Sequence, residues 1–321
     1  MLRRCQARRY ARIRVVGVGS GGISAANHMI RGGIRGVSFV TMDLATGGRR
    51  RSLAPTHLQL SRPYLAGRER EQVRDALGGA DLIFIVSGLG GSTGTTVAPE
   101  VAVLAREAGA LVVAIVTFPF SFEGPRRSAT AAAGAERLEE VAHTAIVIRN
   151  DRLLENNSGE LPFHETYRLA HDIWYRTIQG VSELVNRAGL VNVDFADVRA
   201  VVEVGGASLI TTGYADGPER ARLVAEQALY SPLLENSIDG ARGVLFNVTG
   251  GENMTLAEVN TVAAHIQARV HPDANIIFGA TVDCALEDEL HLILIATGGE
   301  KGRSPLRPAN RPAYAGASAL F

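Results

Sequence analysis

The sequence predicts an α/β protein in which helices cover both faces of a mostly parallel sheet. Short apolar runs alternate with stretches of helical periodicity from residue 13 to residue 148, a pattern typical of repeated strand and helix units. Two predicted strands run directly into glycine-rich loops, at residues 17–22 and 88–94. Because such loops meet at the carboxyl edge of a parallel sheet, where ligands bind, we expect both at one site.

Strands and helices can be assigned in order along the first half of the chain. Residues 44–66 hold two glycines and two prolines and are predicted to be irregular. The predicted strands are 13–18, 37–42, 81–86, 111–116 and 144–148. The predicted helices begin near residue 23 and near residue 97, and further helices cover 68–77, 126–141 and 163–186.

The length of 321 residues favours two domains, because single cores seldom grow much larger. We predict a Rossmann-like nucleotide-binding domain over residues 12–162 and a long connecting helix over 163–187. A smaller α/β domain over 188–298 combines predicted strands 207–212, 243–248, 275–282 and 290–296 with helices 194–202, 219–228 and 256–270. Residues 1–11 and 299–321 lack apolar periodicity and are predicted to be disordered.

Composition excludes several classes of protein. Lys+Arg and Asp+Glu number 33 each, so no excess charge attracts nucleic acid or an anionic membrane. Cys5 and Cys284 are the only cysteines, which indicates neither a disulfide framework nor a metal site. No apolar run reaches the roughly 20 residues of a membrane span, and residues 1–11 lack a signal-peptide core. We therefore expect a cytoplasmic protein that binds neither nucleic acid nor a membrane directly.

The first glycine loop allows two interpretations. Residues 17–22 fit the Gly-x-Gly-x-x-Gly pattern of dinucleotide-binding folds, and Asp43 ends the next strand, where a ribose-binding acid belongs. This pattern alone indicates an NAD-dependent oxidoreductase. A second loop rich in glycine and hydroxyls, at 88–96, instead favours a nucleoside triphosphate held from both sides. The only lysine is Lys301, so the chain contains no P-loop motif.

Several segments resemble the tubulin and FtsZ superfamily. Residues 88–94, Gly-Leu-Gly-Gly-Ser-Thr-Gly, resemble its signature Gly-Gly-Gly-Thr-Gly-Thr-Gly, and residues 17–22 resemble the first phosphate loop of FtsZ. Four later segments are similar to FtsZ in the same order: 117–124, 148–154, 192–199 and 273–280. The similarity extends over roughly residues 12–298.

The resemblance implies a GTP or GDP site, with Mg²⁺ beside the triphosphate. Residues in the two glycine loops would hold the phosphates: Gly19, Ser20, Gly21, Gly22, Gly90, Gly91, Ser92, Thr93, Gly94 and Thr95. Ser24 would lie near the nucleoside, while Glu123 and Arg127 would reach the ribose and phosphate. The base would meet Asn150, Tyr167 and His171. For Glu123 with Arg127, a surface ion pair is the alternative, and Tyr167 could instead face the core.

Asn192, Asp194 and Asp197 are the catalytic residues that the resemblance implies. In FtsZ the matching loop inserts into the next subunit's pocket, so hydrolysis requires head-to-tail self-assembly at the cell-division site. The expected partners are further copies of this chain, a second FtsZ and other division proteins. The alternative for Asp194 is simple capping of the helix that follows.

Some segments depart from the family pattern. Residues 60–71 are too short for the usual γ-phosphate loop, and Ser92 and Thr96 replace signature glycines. Ser24 and His171 replace residues that recognise the nucleoside, which predicts relaxed base specificity. The tail shows no peptide for docking membrane anchors. These departures keep open a second interpretation, a degenerate FtsZ paralogue with weak or no GTPase activity that co-assembles with or caps another FtsZ.

Overall fold

The computed structural model describes residues 10–44, 52–156, 163–187, 189–230 and 237–299. The described strands form one six-stranded and one four-stranded sheet. None of the described helices is long and apolar enough to cross a membrane. The extensions predicted at the two ends lie mostly outside the described residues.

The six-stranded sheet is parallel throughout and has the doubly wound order β3-β2-β1-β4-β5-β6. Its strands are β1 (Ile13–Val18), β2 (Val37–Leu44), β3 (Thr56–Leu60), β4 (Leu82–Gly88), β5 (Leu111–Phe118) and β6 (Thr144–Arg149). The central strands β4 and β5 are almost wholly buried, as expected when helices cover both faces. The predicted fold class is confirmed.

Helices cover the two faces of this sheet and enclose separate apolar cores. They are α1 (Gly19–Arg31), α2 (Gly67–Leu77), α3 (Ser92–Glu107), α4 (Pro125–Val141), α5 (Asn150–Asn156) and α6 (Phe163–Asn186). Apolar side chains of α2, α3 and α4 form a core on one face. Those of α1 and α6 form a core on the other face, and this core continues into the second sheet.

The long helix α6 connects the two sheets and has the predicted extent. Its buried residues recur at helical spacing and include Trp174, Ile178 and Val181. Gly180 lets the helix approach the second sheet closely, because a Cβ there would lie 2.6 Å from Ile293 Cδ1. The helix therefore packs against α1 and against strands of the second sheet.

The second sheet is mixed and has the order β7-β10-β8-β9. Its elements are β7 (Ala207–Asp216), β8 (Gly243–Gly250), β9 (Asn275–Val282), β10 (Glu289–Gly299), α7 (Phe195–Val202), α8 (Arg220–Leu229) and α9 (Leu256–Gln267). β10 runs antiparallel to both of its neighbours, whereas β8 and β9 are parallel. Three of these strands extend past the predicted ends: β7 continues to Asp216, β8 to Gly250 and β10 to Gly299.

Four local predictions are wrong. Helix α1 begins at Gly19 rather than near residue 23, so the end of the first glycine loop is helical. Strand β3 forms within the segment predicted to be irregular, because its half-buried residues pair with the edge of β2. Helix α3 begins at Ser92 rather than near Val97, so the hydroxyl-rich end of the second glycine loop is the first helical turn. Helix α5 was not predicted, and it begins at Asn150 directly after β6.

Candidate active site

The two glycine loops lie side by side at the carboxyl edge of the six-stranded sheet. They follow β1 and β4, which are adjacent and where the strand order reverses. A Cβ on Gly19 would lie 3.3 Å from the Gly94 nitrogen, and a Cβ on Gly21 would lie 3.2 Å from the Gly88 nitrogen. Gly19 also has a φ of +73°, which favours glycine. The loops therefore pack backbone against backbone.

Two predicted phosphate-binding glycines are required mainly by packing. A Cβ on Gly94 would lie 2.3 Å from the Gly88 carbonyl oxygen and 2.5 Å from Ser87 Oγ. A Cβ on Gly22 would lie 2.4 Å from the Val86 carbonyl oxygen. No larger residue fits either position without moving the neighbouring strand or loop.

Helices α1 and α3 both begin at this edge without a capping side chain. The residues that precede them, Val18 and Gly91, make no side-chain cap. The first backbone N–H groups of an α-helix have no intrahelical partner, and the helix dipole places partial positive charge there. Two adjacent helix starts of this kind form a site suited to phosphate groups.

A cleft with a volume of about 840 Å³ opens beside the glycine loops. This volume lies within the range of small-molecule sites. Twelve of the predicted ligand-binding residues line it: Gly19, Ser20, Gly21, Ser24, Gly91, Ser92, Thr93, Gly94, Glu123, Arg127, Asn150 and His171. The structure thus brings together residues from β1 to α6 that lie far apart in the sequence.

Three other predicted residues, Gly22, Gly90 and Thr95, do not line the cleft. Gly22 packs against β4 instead. The Gly90 N–H donates to Thr95 Oγ1 at 2.9 Å, and this hydrogen bond ties the loop to the first turn of α3. The backbone of Tyr167 belongs to α6, but its side chain lies outside the described residues.

One part of the cleft wall is formed by Asn150, His171 and Trp174. Asn150 is buried and its Oδ1 has no hydrogen-bond partner. The indole Nε1 of Trp174 is also buried and unpartnered. His171, one turn before Trp174, stacks on the indole with ring centroids 5.6 Å apart. The apolar periodicity of residues 163–186 predicted Trp174 only as a core residue. Nothing in its helical spacing indicates that it lines a site.

Glu123 and Arg127 lie on another wall and form an ion pair, one helical turn apart. A short 3₁₀ turn over Ser121–Glu123 positions Glu123, whose carboxylate also accepts the Phe120 N–H at 2.9 Å. Arg127 is about half exposed. Both the predicted ligand role and the surface-pair alternative are compatible with this geometry.

Asp43 lines the cleft close to the glycine loops. The sequence predicts a ligand role for this residue only in the NAD-binding interpretation. Its Oδ1 accepts the Leu44 N–H at 2.8 Å and the Thr93 hydroxyl at 3.2 Å. Within the described part of the chain, no three metal-ligating side chains cluster. Mg²⁺ commonly uses one or two carboxylates together with substrate phosphates. A single carboxylate such as Asp43 fits that mode of binding.

The three predicted catalytic residues do not line the cleft. Asp194 and Asp197 form a capping box at the start of α7, in which each carboxylate accepts the other residue's N–H at 2.9 Å. Asn192 Oδ1 accepts the Gly189 N–H at 2.8 Å. We call residues 192–197 the acid loop.

The acid loop belongs to the opposite edge of the six-stranded sheet. The guanidinium of Arg199, on α7, donates to the Gly109 carbonyl at 3.4 Å. Gly109 lies just before β5, at the amino end of that strand, whereas the cleft lies at the carboxyl ends. β5 has eight residues, so the amino edge and the carboxyl edge of the sheet lie about 26 Å apart along this strand.

Comparisons with known proteins agree with this architecture. The sequence model of the GTPase domain of the Tubulin/FtsZ family matches residues 63–158, and that of the C-terminal domain of the FtsZ family matches residues 206–300. CetZ2 from Haloferax volcanii, solved as a GTPγS-bound protofilament, has a TM-score of 0.73 at 18% identity over 91% of this chain and 95% of its own. That likeness is one of fold alone.

Two structures of FtsZ from M. jannaschii are more similar. An empty FtsZ dimer is 34% identical with a TM-score of 0.80, and the match covers 94% of this chain and 96% of that one. A mutant FtsZ is 36% identical with a TM-score of 0.81, over 90% and 92% of the two chains. These matches favour the second interpretation of the glycine loops over an NAD-dependent enzyme. The chain belongs to the FtsZ family, within the tubulin and FtsZ superfamily.

Proposed function

We propose that this protein is a GTPase that hydrolyses GTP between successive copies of a head-to-tail filament at the division site. The observation that carries the proposal is the separation of the acid loop from the glycine loops. Phosphate-binding groups lie at the carboxyl edge of the sheet, and the acid loop belongs to the amino edge. Neither edge by itself holds a complete hydrolytic site.

The cleft supplies the groups that a guanine nucleotide requires. The starts of α1 and α3 offer backbone N–H donors to the phosphates. The unpartnered Oδ1 of Asn150 is an acceptor suited to the N–H groups of guanine. Asp43 would hold Mg²⁺ together with phosphate oxygens. The ion would supply charge neutralisation as the phosphoryl group departs.

The acid loop would act on the nucleotide of a neighbouring copy. Carboxylates of Asp194 and Asp197 can orient a water molecule toward the γ-phosphate, and such catalysis depends mainly on positioning and electrostatics. Leu190 is 73% exposed and Val191 is 39% exposed immediately before the loop, and Phe278 on the neighbouring β9 is 44% exposed. Exposed apolar residues beside a polar loop favour a protein–protein contact. A heterologous contact of this kind generates open filaments.

A second candidate, a paralogue that binds nucleotide without hydrolysing it, is favoured by one observation. The residues that line the cleft include none from 60–71 among those described. This segment is instead tied to its own surroundings, since Glu69 accepts from Ser61 and Glu100 accepts the Leu65 N–H at 2.6 Å. Contact with the γ-phosphate would then come from the glycine loops alone.

The test compares Asp197→Ala with Glu203→Ala. Both residues carry carboxylates on or next to α7, but Glu203 pairs with Arg199 at the far end of the helix. We expect Asp197→Ala to bind GTP as tightly as the unmodified chain while its turnover falls by about a hundredfold or more. Glu203→Ala should retain turnover within about twofold. Equal loss of binding and turnover in Asp197→Ala would contradict an acid loop that serves a neighbour.

A further inference from the structure

The indole N–H of Trp174 is a buried donor without a partner. Trp174 is 2% exposed and is among the largest fully buried side chains. Its Nε1 is one of four buried side-chain polar atoms that lack a partner in the described part of the chain. A buried tryptophan N–H usually finds a partner, because a buried donor without a hydrogen bond destabilises the fold. An unpartnered donor of this kind needs an explanation.

The position of this donor suggests what its partner is. Two of the four unpartnered atoms, Asn150 Oδ1 and Trp174 Nε1, belong to residues that line the same cleft. The other two, on Thr144 and Asn186, belong to residues that do not line it. One lining residue thus offers an acceptor and the other a donor. A ligand with both donors and acceptors on its rim would satisfy the pair.

The indole also stacks on a neighbouring ring. His171 stacks on it at an interplanar angle of 26°, and His171 in turn lies 5.7 Å from the ring of His28 on α1. This stack fixes the plane of the indole against the long helix. A side chain that is already fixed loses little conformational entropy when a ligand binds to it. Such a donor is therefore well suited to recognising one particular ligand.

We propose that Trp174 is a base-recognition residue whose Nε1–H donates to an acceptor on the O6 and N7 edge of guanine. This inference rests on the proposed function and deepens it. Guanine offers acceptors at O6 and N7 and donors at N1 and N2. The N–H groups of the same base meet Asn150 Oδ1. Trp174 thereby contributes to the recognition of guanine. The sequence predicts that this recognition is relaxed, because His171 stands where the family has another base-recognising residue.

The first test uses the emission of Trp174, the only tryptophan in the chain. GDP and inorganic tripolyphosphate are titrated separately into the full-length protein. GDP is expected to change the emission because the base contacts the indole, whereas tripolyphosphate, which fills only the phosphate end, leaves it unchanged. Equal emission changes with the two ligands, or no change with bound GDP, would overturn the proposal.

The second test removes the N–H and keeps an aromatic ring, with Trp174→Phe. We expect GDP affinity to fall by about five- to tenfold, the worth of one buried hydrogen bond, and tripolyphosphate affinity to stay within about twofold. Tyr175→Phe is the matched control. It also removes one donor from α6, a hydroxyl that bonds the Gly32 carbonyl at 3.0 Å, but it does not line the cleft. Its GDP affinity should not change.

The outcomes separate this inference from the proposed function. If the unmodified chain binds GDP and Trp174→Phe binds it equally well, the role of Trp174 is overturned and the nucleotide site stands. If the unmodified chain binds tripolyphosphate but no guanine nucleotide, the proposed function fails together with the inference. Parallel loss of GDP and tripolyphosphate affinity in Trp174→Phe would indicate a purely structural role and would also overturn the proposal.

Discussion

The cleft and the acid loop differ in how their polar groups are satisfied. In the cleft, Asn150 Oδ1 and Trp174 Nε1 are buried without partners, and two helices begin without side-chain caps. In the acid loop, Asp194 and Asp197 satisfy each other's backbone N–H groups, and Asn192 binds Gly189. The cleft is therefore arranged for a ligand that fills it. The acid loop is a preformed, exposed structure that needs a second surface.

The proposed function requires two half-sites on one chain, and this difference between the cleft and the acid loop fits that requirement. A ligand site gains affinity from polar groups that are buried and fixed before binding. A loop that enters a neighbour must instead be stable while exposed, and the capping box provides that stability. Assembly would bring the two kinds of surface together.

The largest expected effect comes from Gly94→Ala in the cleft. Its Cβ would overlap the Gly88 carbonyl and Ser87 Oγ, so the first turn of α3 would be forced away from the end of β4. We expect GTP affinity to fall by about a hundredfold or more, as measured by equilibrium dialysis. Gly91→Ala is the comparison within the same loop, because a Cβ there meets no protein atom within 4 Å and its φ of −97° suits alanine, so any loss of affinity would come from contact with the ligand and not from loop packing. Similar losses in both variants would mean that the loop packing is not decisive.

A smaller effect is expected from Asn150→Ala. This variant is compared with Thr144→Val, which removes a buried, unpartnered oxygen outside the cleft. Removing the amide should lower GDP affinity by about tenfold, because a neutral hydrogen bond to the base is lost. Thr144→Val removes another buried, unpartnered oxygen, at the start of β6 and outside the cleft. That variant should bind GDP normally. If the two variants bind GDP equally, unpartnered atoms do not mark the ligand site.

The smallest expected effect is a change in the stability of the second sheet and its helices, which position the acid loop. Thr297 Oγ1 on β10 donates to the Val201 carbonyl of α7 at 2.6 Å, so the loop depends on the second sheet. In that region the Arg220 guanidinium, hydrogen-bonded to Glu258, holds the pKa of this carboxyl below its usual value of 4.5. The ion pair therefore stabilises the fold above about pH 4.5, and this stabilisation is lost as pH falls through the lowered pKa.

The variant Glu258→Gln tests this pH dependence by urea unfolding. We expect the free energy of unfolding to fall by about 1 kcal/mol at pH 7, and the difference from the unmodified chain to shrink toward pH 3. Glu219→Gln is the control, because the Glu219 side chain is 66% exposed in its pair with Arg222. It should change stability little at either pH. A difference for Glu258→Gln that persists at acidic pH would contradict the assignment to this ion pair.

The sequence predicted the sheet well because the buried strands are continuous apolar runs. Strand β1 and helix α6 have the predicted ends. The start of α3 was misplaced because Ser92 to Thr96 have the composition of a loop. Their helical turn is stabilised by tertiary packing of Gly94 against β4, which propensity does not include.

The loops of the cleft and most of its walls were predicted, whereas two residues of its walls were not. Glycine spacing and family resemblance predicted residues that would hold a nucleotide, and twelve of them line the cleft. Trp174 and Asp43 were missed as members of a guanine-nucleotide site, because one follows a core periodicity and the other ends a strand. Only the three-dimensional arrangement reveals that β2 and α6 bring these residues to one cavity.

The most direct test of the shared active site is phosphate release from GTP with Mg²⁺, measured per subunit as protein concentration rises. The separation of the acid loop from the cleft predicts almost no turnover at low concentration and a steep rise above a critical concentration. Mixing in Asp197→Ala should then lower turnover in proportion to its share of the filament. Turnover per subunit that stays constant across the whole concentration range would contradict the account, because the catalytic site would then lie within one chain.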